Sequence, residues 1–451
     1  MNIRAALATV AGKSSKLLLE KTRSGGSSMP GKVAMKIDPS ILATLSADYR
    51  VIIVTGTNGK TMTTSMITKI FEEKYGQVLT NPTGANMLQG IVSCFLGAPR
   101  KKLGGTRFAI LEVDEATLKY VTRYIKPEAV VFTNLFRDQM DRYGEIYTTY
   151  RLMCEGVAQA PEATVIANGD LPIFSSVALE NPFVYFGFDH EEDREQQAHY
   201  NTDGILCPKC DNILHYKLLT YSNLGKFYCP YCDFKRPALA HAVTAIHSLS
   251  PESSSFAIDG VDFSLPIAGM YNIYNALAAY SVAKHFGISD QYIKRGFEAS
   301  KRIFGRQEHI HIGDKDVVMN LIKNPVGYNQ IVAMLATDPE PFSVVAILND
   351  RHADGTDVSW IWDGDFEQLV QITKGRPFFL SGIRVAELST RFEVAGLGDD
   401  EKIINQDLSA IAEWIKEAPT RKVYILATYT ATLDLRRTFA EQGYIKEGMA
   451  I

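Results

Sequence analysis

The sequence predicts an α/β protein made of two sheets in series with a small cysteine-bearing insertion between them, and three observations carry that prediction. Strand-sized apolar runs alternate with helical stretches from Tyr49 to Phe188. A second alternating series starts at about residue 312. Two Cys-x-x-Cys pairs fall between the two series, in residues 200–236. Strands that alternate with helices argue for parallel sheets covered on both faces. The 451 residues leave room for about three domains at roughly 150 residues each. A composition of 46% hydrophobic and 22% charged residues is globular, so a disordered or fibrous chain is excluded. Lys and Arg number 47 against 51 Asp and Glu, a balance of −4, whereas a chain that wraps nucleic acid is normally basic. The longest apolar runs, Phe183–Phe188 and Val423–Ala427, fall far short of the ~18–20 residues that span a bilayer, so a soluble protein is expected. Six cysteines make no disulfide scaffold, and no secretory signal precedes them; a reducing cytoplasm is the expected compartment.

Residues 1–48 read as a helical extension: a helix, a flexible break at Ser24–Ser28, and a second short helical stretch. The apolar stretch Ile3–Ala11 is followed by Lys13, Lys16, Lys21 and Arg23, the pattern of an amphipathic basic helix. Approach to anionic lipid, docking on a partner and plain solvation are all open to it. Tyr49–Val54 is a β-branched run into a glycine-rich turn, and Thr63–Glu73 is helical. Further strands are expected at Phe108–Val113, Ala129–Asn134, Thr164–Ala167 and Phe183–Phe188, and a helix at Tyr271–Phe286. The second series comprises Val317–Ile322, Ser343–Leu348, Phe378–Ser381 and Lys422–Thr428. The domain reading is therefore 1–48, 49–311 with the insertion 200–236, and 312–451. There is no internal repeat and no low-complexity tract.

The most informative stretch is Val54-Thr-Gly-Thr-Asn-Gly-Lys-Thr61. A strand runs into it and a helix runs out, the context of a phosphate cradle. Gly56, Thr57, Asn58, Gly59, Lys60 and Thr61 would surround the anion, with Lys60 supplying charge and the Thr61 hydroxyl reaching Mg²⁺. The spacing is not that of the eight-residue Walker loop, since Val54 stands where its first glycine would be. The bland alternative is a tight strand–helix turn that happens to hold a lysine. Glu112 ends the next strand, where a carboxylate points into the ligand crevice and could hold Mg²⁺ directly or through water. Asp114 and Glu115 compete for that role, and each of the three could instead be a solvated loop acid.

Cys207-Pro-Lys-Cys210 and Cys229-Pro-Tyr-Cys232 are separated by 18 residues. Two such knuckles put four thiolates around one tetrahedral Zn²⁺; a redox pair or disulfides are the alternatives. Four cysteine ligands leave no open position, so the metal would be structural. A zinc ribbon often accompanies nucleic-acid binding, but few Lys and Arg lie in this insert. Cys94 and Cys154 read as buried small apolar residues.

Several motifs together resemble one family. Thr55-Gly-Thr-Asn-Gly-Lys-Thr61 resembles the ATP loop of the Mur ligases and folylpolyglutamate synthases. Thr133-Asn134-Leu-Phe-Arg-Asp138-Gln-Met-Asp141-Arg-Tyr-Gly144 and Asn168-Gly-Asp170 look like their next two elements. Gly269-Met-Tyr-Asn272-Ile-Tyr-Asn275-Ala-Leu-Ala-Ala and Gly305-Arg306-Gln-Glu308 are similar to the last two. The resemblance implies a Mur-ligase-type P-loop ATPase domain with an inserted four-cysteine zinc ribbon, followed by a C-terminal Rossmann-like α/β domain. It also implies ATP held by Asn168, Asn275 and Arg306, and catalysis through Lys60 and Glu112 with Mg²⁺.

The departures narrow it. Only 48 residues precede the ATP body, too few for a uridine-nucleotide domain of usual size. Met153 stands where many of these ligases carry a carbamylated lysine, and Asn320-Leu-Ile-Lys323-Asn324-Pro325 replaces their Asp-Tyr-Ala-His start of the last domain. The segment Asn349–Asp363 holds four acids after the first Asn and two of the three tryptophans, which points to a packed site or a docking surface. With the zinc insert and the Asn-Pro start, its Asp354-Gly-Thr-Asp357-Val-Ser-Trp-Ile-Trp-Asp363 looks like the Mur-ligase-like subunits of Gram-positive lipid II isoglutaminyl synthases. That resemblance implies ATP- and glutamine-dependent amidation of the D-glutamate α-carboxylate of the lipid II stem peptide, at the inner face of the cell membrane. It implies ammonia from a separate GatD-type glutaminase subunit, to which Asp357 would lend a catalytic acid. Asp357 as a nucleotide or metal ligand, or as a cap of its own turn, stays open. The rival functions are a folylpolyglutamate-synthase-like or Mur-type amino-acid ligase, and a zinc-ribbon ATP-dependent nucleic-acid-binding protein.

Overall fold

A computed structural model of the chain describes residues 3–22, 28–82, 84–99, 105–137, 146–190, 195–198, 204–300 and 306–445. Nine strands form the first sheet: β1 (Arg50–Thr55), β2 (Leu79–Thr80), β3 (Phe108–Glu112), β4 (Ala129–Phe132), β5 (Thr164–Asn168), β6 (Phe183–Phe188), β9 (His241–Leu249), β10 (Ser254–Ile258) and β11 (Val261–Leu265). Their order is β11-β10-β9-β6-β5-β4-β1-β3-β2. The stretch from β9 through β6 to β2 is parallel, and the β9–β11 edge is antiparallel. Every residue of β3, β4 and β5 is buried. Buried on both faces, such strands show continuous apolar runs rather than alternation, which is why the parallel part was legible as strands. The β9–β11 edge has polar positions facing outward and no run of that kind.

The insertion forms a separate two-stranded sheet, β7 (His215–Tyr221) with β8 (Leu224–Tyr228). Its own core is small: Leu214, Tyr216, Phe227 and Phe234 pack with the cysteines. It is tied to the first sheet through buried Asp170, which accepts from Arg236 at 3.0 Å, Tyr274 Oη at 2.8 Å and the Phe188 N–H at 2.7 Å.

The second sheet holds β12 (Arg306–Ile312), β13 (Lys315–Leu321), β14 (Phe342–Ile347), β15 (Phe378–Ser381), β16 (Lys402–Ile404) and β17 (Lys422–Ala427) in the order β12-β13-β17-β14-β15-β16. All its pairings are parallel except β12–β13. Period-2 alternation splits its side chains between two cores. Val344, Ala346, Tyr424 and Leu426 face one layer, and Val345, Ile347, Val423 and Ile425 the other. The sheet takes in residues from Arg306, upstream of the change of body that the sequence put at 312.

The N-terminal extension contains three helices rather than two: α1 (Ile3–Thr22), α2 (Met29–Ile37) and α3 (Ile41–Ser46). The residues 24–27 of the break lie outside the described residues. No described helix is long and apolar enough to cross a membrane.

Candidate active site

β1 is flanked by β3 and β4, so its C-terminal end opens into the crevice of the first sheet. There the chain turns through Gly56–Gly59 into helix α4 (Lys60–Tyr75). Gly56 has φ +129°, and a Cβ on it would lie 2.4 Å from Thr133 Oγ1; Gly59 has φ +82°, and a Cβ there would lie 2.1 Å from Asn275 Oδ1. No other residue type fits either position. The loop is braced from β4: Thr57 N–H donates to Asn134 O at 2.9 Å, Asn58 N–H to Asn134 Oδ1 at 2.8 Å, and Thr133 Oγ1 to Asn58 O at 2.9 Å. The N–H groups of the first turn of α4 have no helical acceptor by construction and face the mouth of the loop.

Lys60 folds back over the loop. Its Nζ donates to Gly56 O at 2.5 Å and pairs with Glu115 at 3.0 Å. Glu112, Asp114 and Glu115 are all buried. Burial alone would lower the Lys60 pKa, but the attraction of Glu115, Glu112 and Asp114 outweighs it and holds the ammonium above its ordinary value. Burial pushes Glu115 up further than Lys60 pulls it down. Glu112 accepts from Asn86 Nδ2 at 3.3 Å, and its backbone is clamped in both directions by Asn81. The three acids outnumber the two lysines near them, Lys60 and Lys323, at the mouth of the loop. An oxygen-only donor set of this kind, with the Thr61 hydroxyl at the start of α4, fits Mg²⁺.

Beside the loop opens a cavity lined among others by Asn58, Gly59, Asn275, Asn320 and Lys323. Asn275 comes from the helix Met270–His285; its Oδ1 accepts from Thr63 Oγ1 at 3.2 Å and its Nδ2 donates to Asn272 Oδ1 at 3.0 Å. Asn320, on β13, is 1% exposed, and its Nδ2 finds no acceptor among the described residues. A buried donor left open toward a cavity is what a bound ligand would satisfy.

The second sheet reaches the loop directly. Lys323 Nζ donates to Thr57 O at 3.3 Å, and the amides of Asn324 and Asn58 exchange bonds at 3.1 and 3.4 Å. Asn324 also caps the helix Pro325–Leu335, accepting from Gly327 N–H at 2.8 Å. Gln307 has φ +54° and locks the same junction by exchanging bonds with the Ala268 backbone at 3.1 and 3.0 Å. Sequence reasoning noted the departure at 320–325 without giving Asn320, Lys323 or Asn324 a role, and passed over Gln307. The legible signal was the Asn-Pro helix start; the rest depends on packing between the two sheets.

The other sequence-derived residues fall differently. Asn168 ends β5, but its Nδ2 donates to Thr133 O at 3.2 Å and its Oδ1 accepts from Asp170 N–H at 3.1 Å. It buttresses the brace of the loop and is not among the residues lining the cavity. The backbone of Arg306 enters β12 opposite Asn320. Asp138, Asp141 and Gly144 lie outside the described residues. Met153 is wholly buried in the first core. Cys154 is buried, as expected, but Cys94 is only partly so; burial pushes the two thiols up to about 11 and about 12. Asp357 does not line the cavity either. It is exposed, and its Oδ1 accepts from Ser359 N–H at 2.8 Å at the start of the turn Ser359–Trp362. Asp354, not Asp357, anchors this segment: it is buried and accepts from Thr430 N–H at 2.6 Å and Thr430 Oγ1 at 2.5 Å. Trp362 is 52% exposed beside it.

The four insert cysteines bring their Sγ atoms within 4.8 Å of one another, with Cys207–Cys232 at 3.6 Å and Cys210–Cys229 at 3.5 Å. Bonds of ~2.3 Å to a tetrahedral ion set sulfurs about 3.8 Å apart, whereas a disulfide needs about 2.0 Å. The spacing suits a metal ion. Hydrogen bonds from Asn212 bring the Cys210 thiol down to about 6, whereas Cys207 and Cys232 are held up.

A braced glycine loop with a buried lysine and acids, closed by a second α/β body, defines an ATP-dependent ligase of the Mur type. Residues 54–229 match the Mur ligase middle domain, and residues 321–432 match the MurT ligase C-terminal domain. The chain is 46% identical, over 100% of both chains, to the lipid II isoglutaminyl synthase (glutamine-hydrolyzing) subunit MurT of Streptococcus pneumoniae. It is 33% identical to the subunit of the same name from Staphylococcus aureus, over 82% of this chain and 83% of that one. Among solved structures, a pseudomurein peptide ligase type C from Methanothermus fervidus superimposes with a TM-score of 0.66 at 18% identity, covering 90% of this chain and 81% of the other. The chain belongs to the MurT family of lipid II isoglutaminyl synthase subunits.

Proposed function

We propose that this chain is the ATP-dependent amidating subunit that converts the D-glutamate α-carboxylate of the lipid II stem peptide to the amide of D-isoglutamine. The observation that carries the reading is the Lys60–Glu115–Glu112 cluster under the glycine loop, in a chain whose full length aligns with MurT subunits. A carboxylate does not react with ammonia at neutral pH, because its oxygen is a poor leaving group. Attack of the carboxylate oxygen on the γ-phosphorus of ATP releases ADP and forms an acyl phosphate. Ammonia then attacks the acyl carbon and phosphate leaves.

In this reading Lys60 and the first-turn N–H groups of α4 neutralise charge on the transferring phosphoryl group. Thr61 and Glu112 would hold Mg²⁺, with Asp114 and Glu115 close by, and the ion when bound shares that neutralisation. Gly56, Thr57, Asn58 and Gly59 cradle the phosphates. Asn275 and Arg306 hold the nucleotide, and Asn168 contributes through its grip on Thr133. The domain reading 1–48, 49–311 and 312–451 goes with this assignment, except that the last body takes in β12 from Arg306.

Ammonia comes from a separate GatD-type glutaminase subunit. Four of the six cysteines belong to the metal cluster, and the other two have raised pKa values, so none suits a glutaminase nucleophile. The complex works at the inner face of the membrane, on a lipid-linked substrate. The test is reconstitution of the two subunits with lipid II, ATP, Mg²⁺ and glutamine, followed by mass spectrometry of the stem peptide. Amide formation coupled to ADP release supports the reading; addition of an amino acid, or ADP release with an unchanged peptide, overturns it.

The four cysteines hold one structural Zn²⁺. Cys207→Ser is expected to reduce the zinc content from about one per chain to near zero and to lower the melting temperature by several degrees. Nucleotide affinity should change much less, since the cluster lies outside the cavity lining. Elemental analysis finding no zinc in the wild-type protein would reject the site. Lys323→Met is expected to raise the KM for ATP about tenfold while leaving the fold intact, because it removes the second cation that the C-terminal body brings to the loop. Steady-state kinetics at varied ATP check this, and an unchanged KM removes Lys323 from the site.

A further inference from the structure

We infer that α1 is a docking element that lies flat on an anionic phospholipid surface, an inference that rests on the lipid-linked substrate proposed above. Ile3, Leu7, Val10 and Leu17 follow one another at helical spacing and are 79%, 59%, 59% and 60% exposed. Together they make an outward stripe about 21 Å long at 1.5 Å per residue, interrupted once by exposed Ser14. Leu18 widens it and is 65% exposed. The opposite face is made of small residues and is fully engaged. Ala5 and Ala8 are buried, and a Cβ on Gly12 would lie 2.6 Å from Leu96 Cδ1 and 3.2 Å from Ala34 Cβ. The helix therefore has apolar groups on both sides and cannot roll to hide its leucines without losing a close-packed contact. A merely solvated helix would carry polar residues outward.

Charge selects the partner. Residues 1–37 hold seven Lys and Arg against one Glu, net +6, so the remaining chain, with 40 against 50, carries −10. The N-terminal segment that carries the stripe is thus basic in a chain that is otherwise net acidic, the pattern of helices that lie in an anionic interface. The length suits lying rather than spanning, since no described helix is long and apolar enough to cross.

Position gives the contact a use. α1 and α2 pack on α5 (Leu88–Gly97), and Gly31 N–H donates to Ser93 Oγ of α5 at 2.8 Å. The turn before α5 leads to the acid cluster: Asn86 bonds Glu112 and accepts from Asp114 N–H at 3.1 Å, and Met87 Sδ accepts from Thr117 Oγ1 at 3.2 Å. A membrane held by α1 is thus one helix away from the acids that face the reacting phosphate.

The test uses the full chain with its glutaminase subunit, sedimented with vesicles of phosphatidylglycerol and phosphatidylcholine or of phosphatidylcholine alone. Wild-type complex should pellet with the anionic vesicles and do so at least about tenfold less with the zwitterionic ones or in high salt. The variant Leu7→Glu/Val10→Glu/Leu17→Glu, changed only at exposed positions, should lose anionic-vesicle binding by a similar factor. It should still amidate a short-chain, detergent-dispersed lipid II analogue at the wild-type rate. Equal sedimentation of variant and wild type overturns the inference, as does wild type that binds neither vesicle. A variant whose complex changes mass in light scattering also overturns it, because the stripe then covers a protein surface. Vesicle binding that persists while no amidation is found with either protein leaves the inference standing and sinks the functional reading instead.

Discussion

Lys60→Ala is expected to lower ATP-dependent amidation by about 10²–10³-fold at saturating ATP, with the melting temperature and the association with the glutaminase subunit little changed. The factor is that of removing one preorganised charge from a transferring group, about 3–4 kcal/mol of barrier. Lys60 contributes little packing: its ammonium touches the Gly56 carbonyl and Glu115, and the loop's shape is set by Thr133, Asn134 and the two glycines. Its loss does change the electrostatics. Lys323 would then be the remaining cation near Glu115, and with Lys60 gone Glu115 would take up a proton more readily. The variant should therefore show a steeper demand for Mg²⁺ than the wild type, which a magnesium titration at fixed ATP reads directly. Turnover that stays within about twofold of wild type at every ATP concentration removes the phosphate-loop assignment. A large fall in KM-weighted activity that vanishes at high ATP would reassign Lys60 from the transfer step to ground-state binding.

The parts of this site that could be read from the sequence are those whose chemistry is local. The glycine loop is legible because two positions that admit no side chain flank a lysine at a strand–helix junction, and all of that lies within eight residues. The parallel strands are legible because burial on both faces leaves an unbroken apolar run, as in Phe108–Glu112 or Ala129–Phe132. The edge β9–β11 was not, because its half-exposed strands mix histidine and serine with the apolar positions, as in His241–Leu249. β12 fails for the same reason: Arg306-Gln-Glu-His-Ile-His-Ile312 is mostly polar, and only its pairing with Lys315–Asn320 makes it a strand.

Site residues from the second body were harder still. Asn58 and Asn324 are 266 positions apart, and nothing local to either says that they meet. Asn320 and Lys323 stand out in the sequence only as departures from a family pattern, whereas the structure turns one into an open donor and the other into a second cation at the loop. Asn168 illustrates the converse. Its motif is legible, but its amide is spent on the Thr133 carbonyl, so it braces the loop and does not line the cavity. Residue type and spacing identify a ligand-binding neighbourhood; which member touches the ligand is decided by hydrogen bonds the sequence does not contain.

Asp357→Asn is expected to lower glutamine-driven amidation by about 10³–10⁴-fold while leaving amidation from free ammonium within about twofold of wild type. A Cys–His glutaminase works best when an acid orients its histidine and stabilises the imidazolium, and replacing such an acid by its amide leaves the geometry while costing about 10⁴ in turnover. The acid proposed to serve the partner must be exposed and must not be needed to hold its own loop. Asp357 meets both conditions: it is exposed beside Trp362, and the loop is anchored instead by buried Asp354 on Thr430. Its one observed bond, from Ser359 N–H to Oδ1, needs only an acceptor oxygen, which asparagine keeps. The substitution therefore removes the charge and preserves the turn, so a loss of function cannot be blamed on the local fold. Size-exclusion chromatography of the variant complex establishes that the subunits still assemble. Loss of both reactions would move Asp357 to the ATP site, despite its absence from the cavity lining. Retention of both would make it the cap of the Ser359–Trp362 turn and nothing more. Loss of the glutamine reaction alone, with ammonium able to rescue it, requires a charge delivered across the interface to a histidine that this chain does not supply.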